Sequence, residues 1–133
     1  MKKVKIYIEK GTDEFSACMD DSSLSYSCIG TGKTVAEAVE DFKDAYEEMR
    51  TYYASIGKKF EEIEMEFRYD VPSFLQEFAY AFSLSSLERI TGINQKQLGH
   101  YISGYRKPSR KTILKIEAGI QRFGEHLASV RFA

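Results

Sequence analysis

Ile63-Glu64-Met65-Glu66-Phe67-Arg68-Tyr69 alternates apolar and charged or polar-tipped positions in the strict order of a two-residue repeat. Successive side chains of a strand point to opposite faces, so this run has one apolar face as a strand and no coherent face as a helix. A half-buried strand needs neighbours, and the chain supplies them. Val4, Ile6 and Ile8 share one face of a first strand, with Lys3, Lys5, Tyr7 and Glu9 on the other. Shorter strands are expected around Phe15 to Met19 and Tyr26 to Thr31, separated by the turn-forming Asp20-Asp21-Ser22-Ser23.

Between the third and fourth strands, Val35, Ala38, Val39, Phe42, Ala45, Tyr46, Met49, Tyr52, Tyr53 and Ile56 recur at three- and four-residue steps. That spacing predicts one helix with one buried stripe. Thr34 and Glu37 form a capping box at its start, and Gly57 followed by Lys58-Lys59 suits its end. The order is βββαβ, read as an antiparallel sheet covered on one side by a helix.

The opposite helix face carries Glu37, Glu40, Asp41, Asp44, Glu47 and Glu48. Carboxylates so placed usually do no more than solubilise. No Ser/His/Asp, Cys/His or metal-ligand spacing occurs, and Gly30-Thr31-Gly32-Lys33-Thr34 lacks the spacing of a phosphate loop, so it reads as a tight turn into the helix. Neither catalytic residues nor a metal site nor a cofactor is expected. Cys18 and Cys28 read as reduced, packed thiols. Without a run of about 18 apolar residues, the chain is expected to be soluble and cytoplasmic, with no membrane partner.

Pro72 follows the last strand, where a preset φ and a missing N–H can end a strand and open a helix. The boundary expected there divides the chain into domains 1–70 and 71–133. Charge divides at the same place: residues 1–70 hold 10 Lys/Arg and 16 Asp/Glu, a net of -6, and residues 71–133 hold 9 and 4, a net of +5. Different partners for the two halves follow from opposite signs.

Beyond Pro72, Phe74, Leu75, Phe78, Ala81 and Phe82 predict a first helix, and Ser85 to Thr91 a short second one ended by Gly92. Asn94 caps the next helix, with Gln97 at the reciprocal position. Leu87, Ile90, Ile93, Leu98, Tyr101 and Ile102 would form a small shared core, and the spacing of Leu87, Gly92, Ile93 and Leu98 is that of a helix-turn-helix. Outward on the third helix stand Gln95, Lys96, Gly99, His100 and Ser103, the candidate readers of DNA base edges. Candidate phosphate contacts are Ser85, Asn94, Tyr105, Arg106, Lys107, Arg110 and Lys111, mostly from the cation-rich turn behind that helix. Farther on, Ile113, Ile116, Ile120, Phe123, Leu127 and Val130 form a seam, whose distal part, Ile120, Phe123, Leu127 and Val130, is the candidate dimer contact.

Two resemblances join these readings. The stretch from Glu14 to Met49, through Phe15, Ala17, Gly32, Thr34, Glu37, Ala38 and Phe42, resembles the N-terminal domain of HicB-type antitoxins. That likeness implies a degraded RNase H-like fold without working nuclease carboxylates, and a surface for a small HicA-type ribonuclease toxin. The stretch from Ser85 to Ile120, with Ile102-Ser103-Gly104-Tyr105-Arg106-Lys107-Pro108-Ser109 as its most specific part, resembles the Xre or lambda-repressor class of helix-turn-helix domains. Glu88 departs from that pattern, which often has alanine there. Together they imply an α+β protein that binds a small basic toxin and double-stranded DNA as a homodimer or higher oligomer, repressing its own operon. The alternative is a stand-alone transcriptional regulator of the same fold without a toxin; a nuclease is disfavoured because no metal-binding carboxylate cluster is apparent.

Overall fold

A computed structural model describes residues 1–133. The chain is α+β, with four strands, β1 (Lys2–Lys10), β2 (Phe15–Met19), β3 (Ile29–Gly32) and β4 (Ile63–Tyr69), and five helices, α1 (Val35–Ser55), α2 (Val71–Glu77), α3 (Leu84–Thr91), α4 (Gln95–Ser103) and α5 (Arg110–Ala128). It forms two compact units, Met1–Glu77 and Phe78–Ala133.

The sheet runs in the order β3-β2-β1-β4 and is mixed, not antiparallel as expected: β4 lies parallel to β1, Lys2 opposite Ile63 through Ile8 opposite Tyr69. Its direction is set by the connection. β2 and β3 reverse the chain in turn, and α1 carries it back across the sheet, so β4 arrives pointing the same way as β1. Alternation survives in this register, since Lys3 faces Glu64 and Lys5 faces Glu66 on the outer surface, where opposite charges across strands are favourable. On the inner surface Val4, Ile6, Ile8, Ala17 and Ile63 close against Val35, Ala38, Phe42, Tyr46 and Tyr53 of α1.

Strand β3 is shorter than predicted. Tyr26 and Cys28 are buried but precede the paired segment; the Tyr26 hydroxyl donates to the Glu61 carbonyl at 2.6 Å, and the Cys28 N–H to the Met19 sulfur at 3.3 Å. Burial pushes the Cys28 thiol up, which keeps it protonated, and both cysteines are free. Helix α1 starts as its sequence asks, with the Thr34 hydroxyl accepting the Glu37 N–H at 3.1 Å. The return bond is displaced by one residue, because the Glu37 carboxylate accepts the N–H of Lys33 instead of Thr34. Tyr52 and Ile56, expected within the buried stripe, are 57% and 53% exposed.

Asp70 joins the last strand to α2. Its two carboxylate oxygens accept the Ser73 and Lys10 N–H groups, each at 2.8 Å, so one side chain caps the helix and ties down the end of β1. The side chain of Gln76 accepts the Val35 N–H at 3.2 Å. Helix α2 therefore belongs to the first unit, and the boundary falls at Glu77/Phe78 rather than at 70/71. The helix also ends at Glu77, with Phe78 to Ala81 forming a turn where the apolar spacing predicted continued helix.

Ser73 is fully buried and its hydroxyl has no hydrogen-bond partner. Ser73→Ala is expected to raise the unfolding free energy by about 1 kcal/mol, since it removes a desolvated hydroxyl and improves helix propensity. A urea midpoint lower than that of the parent would show that the hydroxyl is satisfied after all.

The second unit is built on Leu87, Ile93, Leu98, Tyr101 and Ile116, all buried. Ile90 is half-buried, and Ile102, also expected in this core, lies at the surface. Counted by unit, Met1–Glu77 has 10 Lys/Arg against 17 Asp/Glu, a net of -7, and Phe78–Ala133 has 9 against 3, a net of +6.

Candidate nucleic-acid interface

The turn between α3 and α4 is held at both ends. Helix α3 starts at Leu84, one residue before the expected Ser85, and Ser83 caps it, its hydroxyl accepting the Ser86 N–H at 3.0 Å; Ser85 is an exposed residue of the first turn. Gly92 ends the helix at φ 77°, a left-handed conformation that favours glycine, and its N–H donates to the Glu88 carbonyl at 2.8 Å. The Thr91 hydroxyl, buried, donates to Leu87 O at 2.7 Å and accepts the Ile93 N–H at 3.1 Å. The Gly92 and Ile93 N–H groups and the Thr91 hydroxyl thus all have partners within the turn.

Two acceptors then share the start of α4. Asn94 Oδ1 accepts the Lys96 N–H at 2.8 Å, and Glu88 Oε1 accepts the Gln95 N–H at 2.7 Å. Gln97 does not close the reciprocal box; its amide donates to the Tyr101 hydroxyl. The carboxylate that interrupts the expected pattern at Glu88 thus acts as a second cap, placing negative charge at the positive end of α4. Glu88→Ala is expected to cost about 1 kcal/mol, and Glu88→Gln less, because glutamine keeps an acceptor. Thermal melts of the two variants check this, and equal melts would remove the capping role.

On α4 itself Gln95, Lys96 and Ser103 are exposed, and Gly99 and His100 are half-buried. A Cβ at Gly99 would meet only Leu84 Cδ1, at an ordinary 3.9 Å, so packing does not require glycine there. A mid-helix glycine costs about 1 kcal/mol relative to alanine, which leaves close approach of another molecule as a use for it. The His100 ring meets the Tyr105 ring edge-on at 4.9 Å.

Gly104, at φ 80°, turns the chain back, and the Arg106 N–H donates to His100 O at 3.3 Å. That bond brings the basic turn against the helix, where Asn94, Lys96, Gln97, His100 and Arg106 line one shallow depression. Gln97 was not a candidate from sequence; its three-residue steps to Asn94 and His100 are the signal that could have found it. The Arg106 guanidinium lies 5.9 Å from the Tyr105 ring centre, and Tyr105 and Lys107 are exposed.

Arg110 and Lys111 are in the first turn of α5, not in the loop. Ser109 caps that helix through the Thr112 N–H at 3.2 Å, and the first turn has no acidic residue. Cations at a helix N-terminus oppose its dipole, whereas an anion there is favoured. The ion pairs Lys2–Asp21, Arg50–Glu47, Arg50–Glu62 and Arg68–Glu66 lie in the first unit. None of the nine Lys/Arg of Phe78–Ala133 has a carboxylate partner.

The distal seam is only partly used within the chain. Ile120 and Phe123 are half-buried, and the Phe123 ring packs edge-to-face on Phe82 at 5.7 Å. Leu127 is 60% exposed and Val130, which lies beyond the end of α5 at Ala128, is 43% exposed. No group of His, Cys, Asp and Glu is placed to hold a metal ion, and no helix is long and apolar enough to cross a membrane. No family model, curated protein or solved structure matches the chain.

Proposed function

We propose that the protein is a cytoplasmic HicB-type antitoxin that represses its own operon, with α3 and α4 as a helix-turn-helix laid on operator DNA. One observation carries the DNA reading: Lys96 and Arg106 share one depression with Asn94, Gln97 and His100, and no Lys or Arg of the second unit has an intramolecular carboxylate partner. Charges left unpaired beside an anion-favouring helix start are suited to a polyanion. In this reading Gln95, Lys96, Gly99, His100 and Ser103 face the base edges, and Ser85, Asn94, Tyr105, Arg106, Lys107, Arg110 and Lys111 hold the phosphates. The acidic first unit binds a small basic ribonuclease toxin, opposite charge speeding that encounter. Two copies join through Ile120, Phe123, Leu127 and Val130 and span two half-sites.

Gel-shift titration with DNA from upstream of the gene tests the first part. Gln95→Ala and Lys96→Ala each are expected to relax sequence preference, at a cost of about 1–3 kcal/mol for a good base contact. Unchanged binding by a Gln95, Lys96 and Arg106 triple alanine variant would remove the DNA assignment. Co-expression with the product of the adjacent reading frame tests the second part, a stable complex being the expected result.

A further inference from the structure

Glu40, Asp44, Glu48 and Tyr52 follow one another at four-residue steps along α1, Ile56 is the residue that caps its C-terminus, and all five are exposed. Every fourth residue of a helix forms a ridge. This one is acidic at one end and apolar at the other, and the core of its own unit does not use the apolar end. The second unit has a groove between α3 and α5 with Phe82, Ile90 and Phe123 in its floor and Arg89, Arg122 and His126 on its walls, and no carboxylate lines it. Its charge is opposite to that of the ridge, and its apolar floor offers a match to Tyr52 and Ile56.

We propose that the α1 ridge of one copy seats in the α3–α5 groove of a second copy, Tyr52 and Ile56 against the aromatic floor and Asp44 and Glu48 beside the arginines. An amphipathic helix in an apolar groove is a recurring mode of recognition, anchored at such spacings. The net charges of -7 and +6 on the two units draw the ridge of one copy toward the groove of the next. Reciprocal exchange closes two copies into a pair, and one-way exchange builds a longer series. The groove residues are distinct from Lys96, Arg106, Arg110 and Lys111, so this assembly does not consume the basic face. Phe123 does belong to both the groove and the α5 seam, so a test has to separate the two contacts.

Sedimentation of the full chain at about 50 mM and about 500 mM salt makes that separation, because ion pairs near the surface weaken as the screening length shortens. The parent is expected to self-associate at low salt and to weaken about tenfold or more at high salt. Asp44→Arg with Glu48→Arg is expected to weaken association to the same degree as Arg89→Glu with Arg122→Glu, and all four changes in one chain to restore it. Tyr52→Glu is expected to weaken association at both salt concentrations. Circular dichroism equal to the parent shows that each variant is folded, as surface positions allow. A parent that stays monomeric at about 100 μM protein and low salt would overturn the proposal, since it leaves no affinity of practical use. So would an oligomer indifferent to the α1 changes, which is the signature of the α5 seam alone.

Discussion

Replacing Arg106, Lys107, Arg110 and Lys111 together with alanine is expected to weaken binding to any duplex DNA by about a thousandfold at about 0.1 M salt and to flatten the salt dependence by roughly 3 to 4 units. Each phosphate contact releases condensed counterions and contributes about 0.9 to the slope of log affinity against log salt, so four lost contacts remove about 3.6 decades between 1 M and 0.1 M. The stability of the same variant should move the other way. Arg110 and Lys111 sit in the first turn of α5, against the helix dipole, and each cation there costs about 0.3–1 kcal/mol. Their removal is expected to hold or raise the melting temperature while DNA binding collapses. Anisotropy titrations across a salt series, paired with thermal melts, read both quantities. A slope that does not change would show that these four side chains do not touch phosphate, and a melting temperature that falls with affinity would assign them to the fold instead.

That opposition between stability and binding is partly written in the linear chain. The run of seven cations from Arg89 to Lys115 without an acid is visible by eye, and so are the glycine and the cap around residues 92 to 94. What brings part of the run together is not local. Arg106 reaches α4 because its N–H finds His100 O, and Arg110 and Lys111 gain their directional meaning from a helix start that the sequence read as loop. Glu88 shows the same limit. It stood out as a departure, but its partner is the N–H of Gln95, seven residues on, and only the closed turn brings the two together.

In the first unit the alternation at Ile63 to Tyr69 correctly located a strand, because side-chain period is a property of the segment itself, although its apolar face is buried at Ile63, half-buried at Met65 and Phe67, and exposed at Tyr69. Strand direction is a property of the connections, so nothing in β4 announced that it would lie parallel to β1. Periodicity also marks every apolar residue within a wide arc of a helix. Tyr53 is buried because Tyr26 and Phe60 pack on it, whereas Tyr52, one position earlier with the same composition, stays exposed. Helix α2 passed to the first unit for a comparable reason. Its Pro72 announced a break in secondary structure, while the bonds of Asp70 to Lys10 and of Gln76 to Val35 decide which core the helix joins.

Gly30→Val is expected to destabilise the first unit by on the order of 4 kcal/mol or more, the range reserved for substitutions that break a core. A Cβ at this position of β3 would lie 2.3 Å from Phe42 N, 2.4 Å from Ala38 O and 2.7 Å from Phe42 Cα. All three obstacles are backbone atoms of α1, so no rotamer change relieves the clash. The helix has to lift by about 1 Å, and a gap of that size forfeits a quarter to a half of the dispersion attraction at each contact. Phe42, Ala38, Ile6 and Ile8 are fully buried at that interface, so the loss spreads along the whole helix. Gly57→Ala provides the comparison. Gly57 has φ 68° and nothing within 4 Å of its missing Cβ, so alanine meets backbone strain alone, worth about 1–2 kcal/mol. Urea midpoints are expected to rank the parent above Gly57→Ala, and Gly57→Ala well above Gly30→Val. In amide spectra of Gly30→Val, signals from residues 1–77 should collapse while those of residues 78–133 keep their dispersion, because the second core of Leu87, Leu98, Tyr101 and Ile116 contains none of the displaced atoms. Simultaneous loss of both sets would mean that the two cores unfold as one.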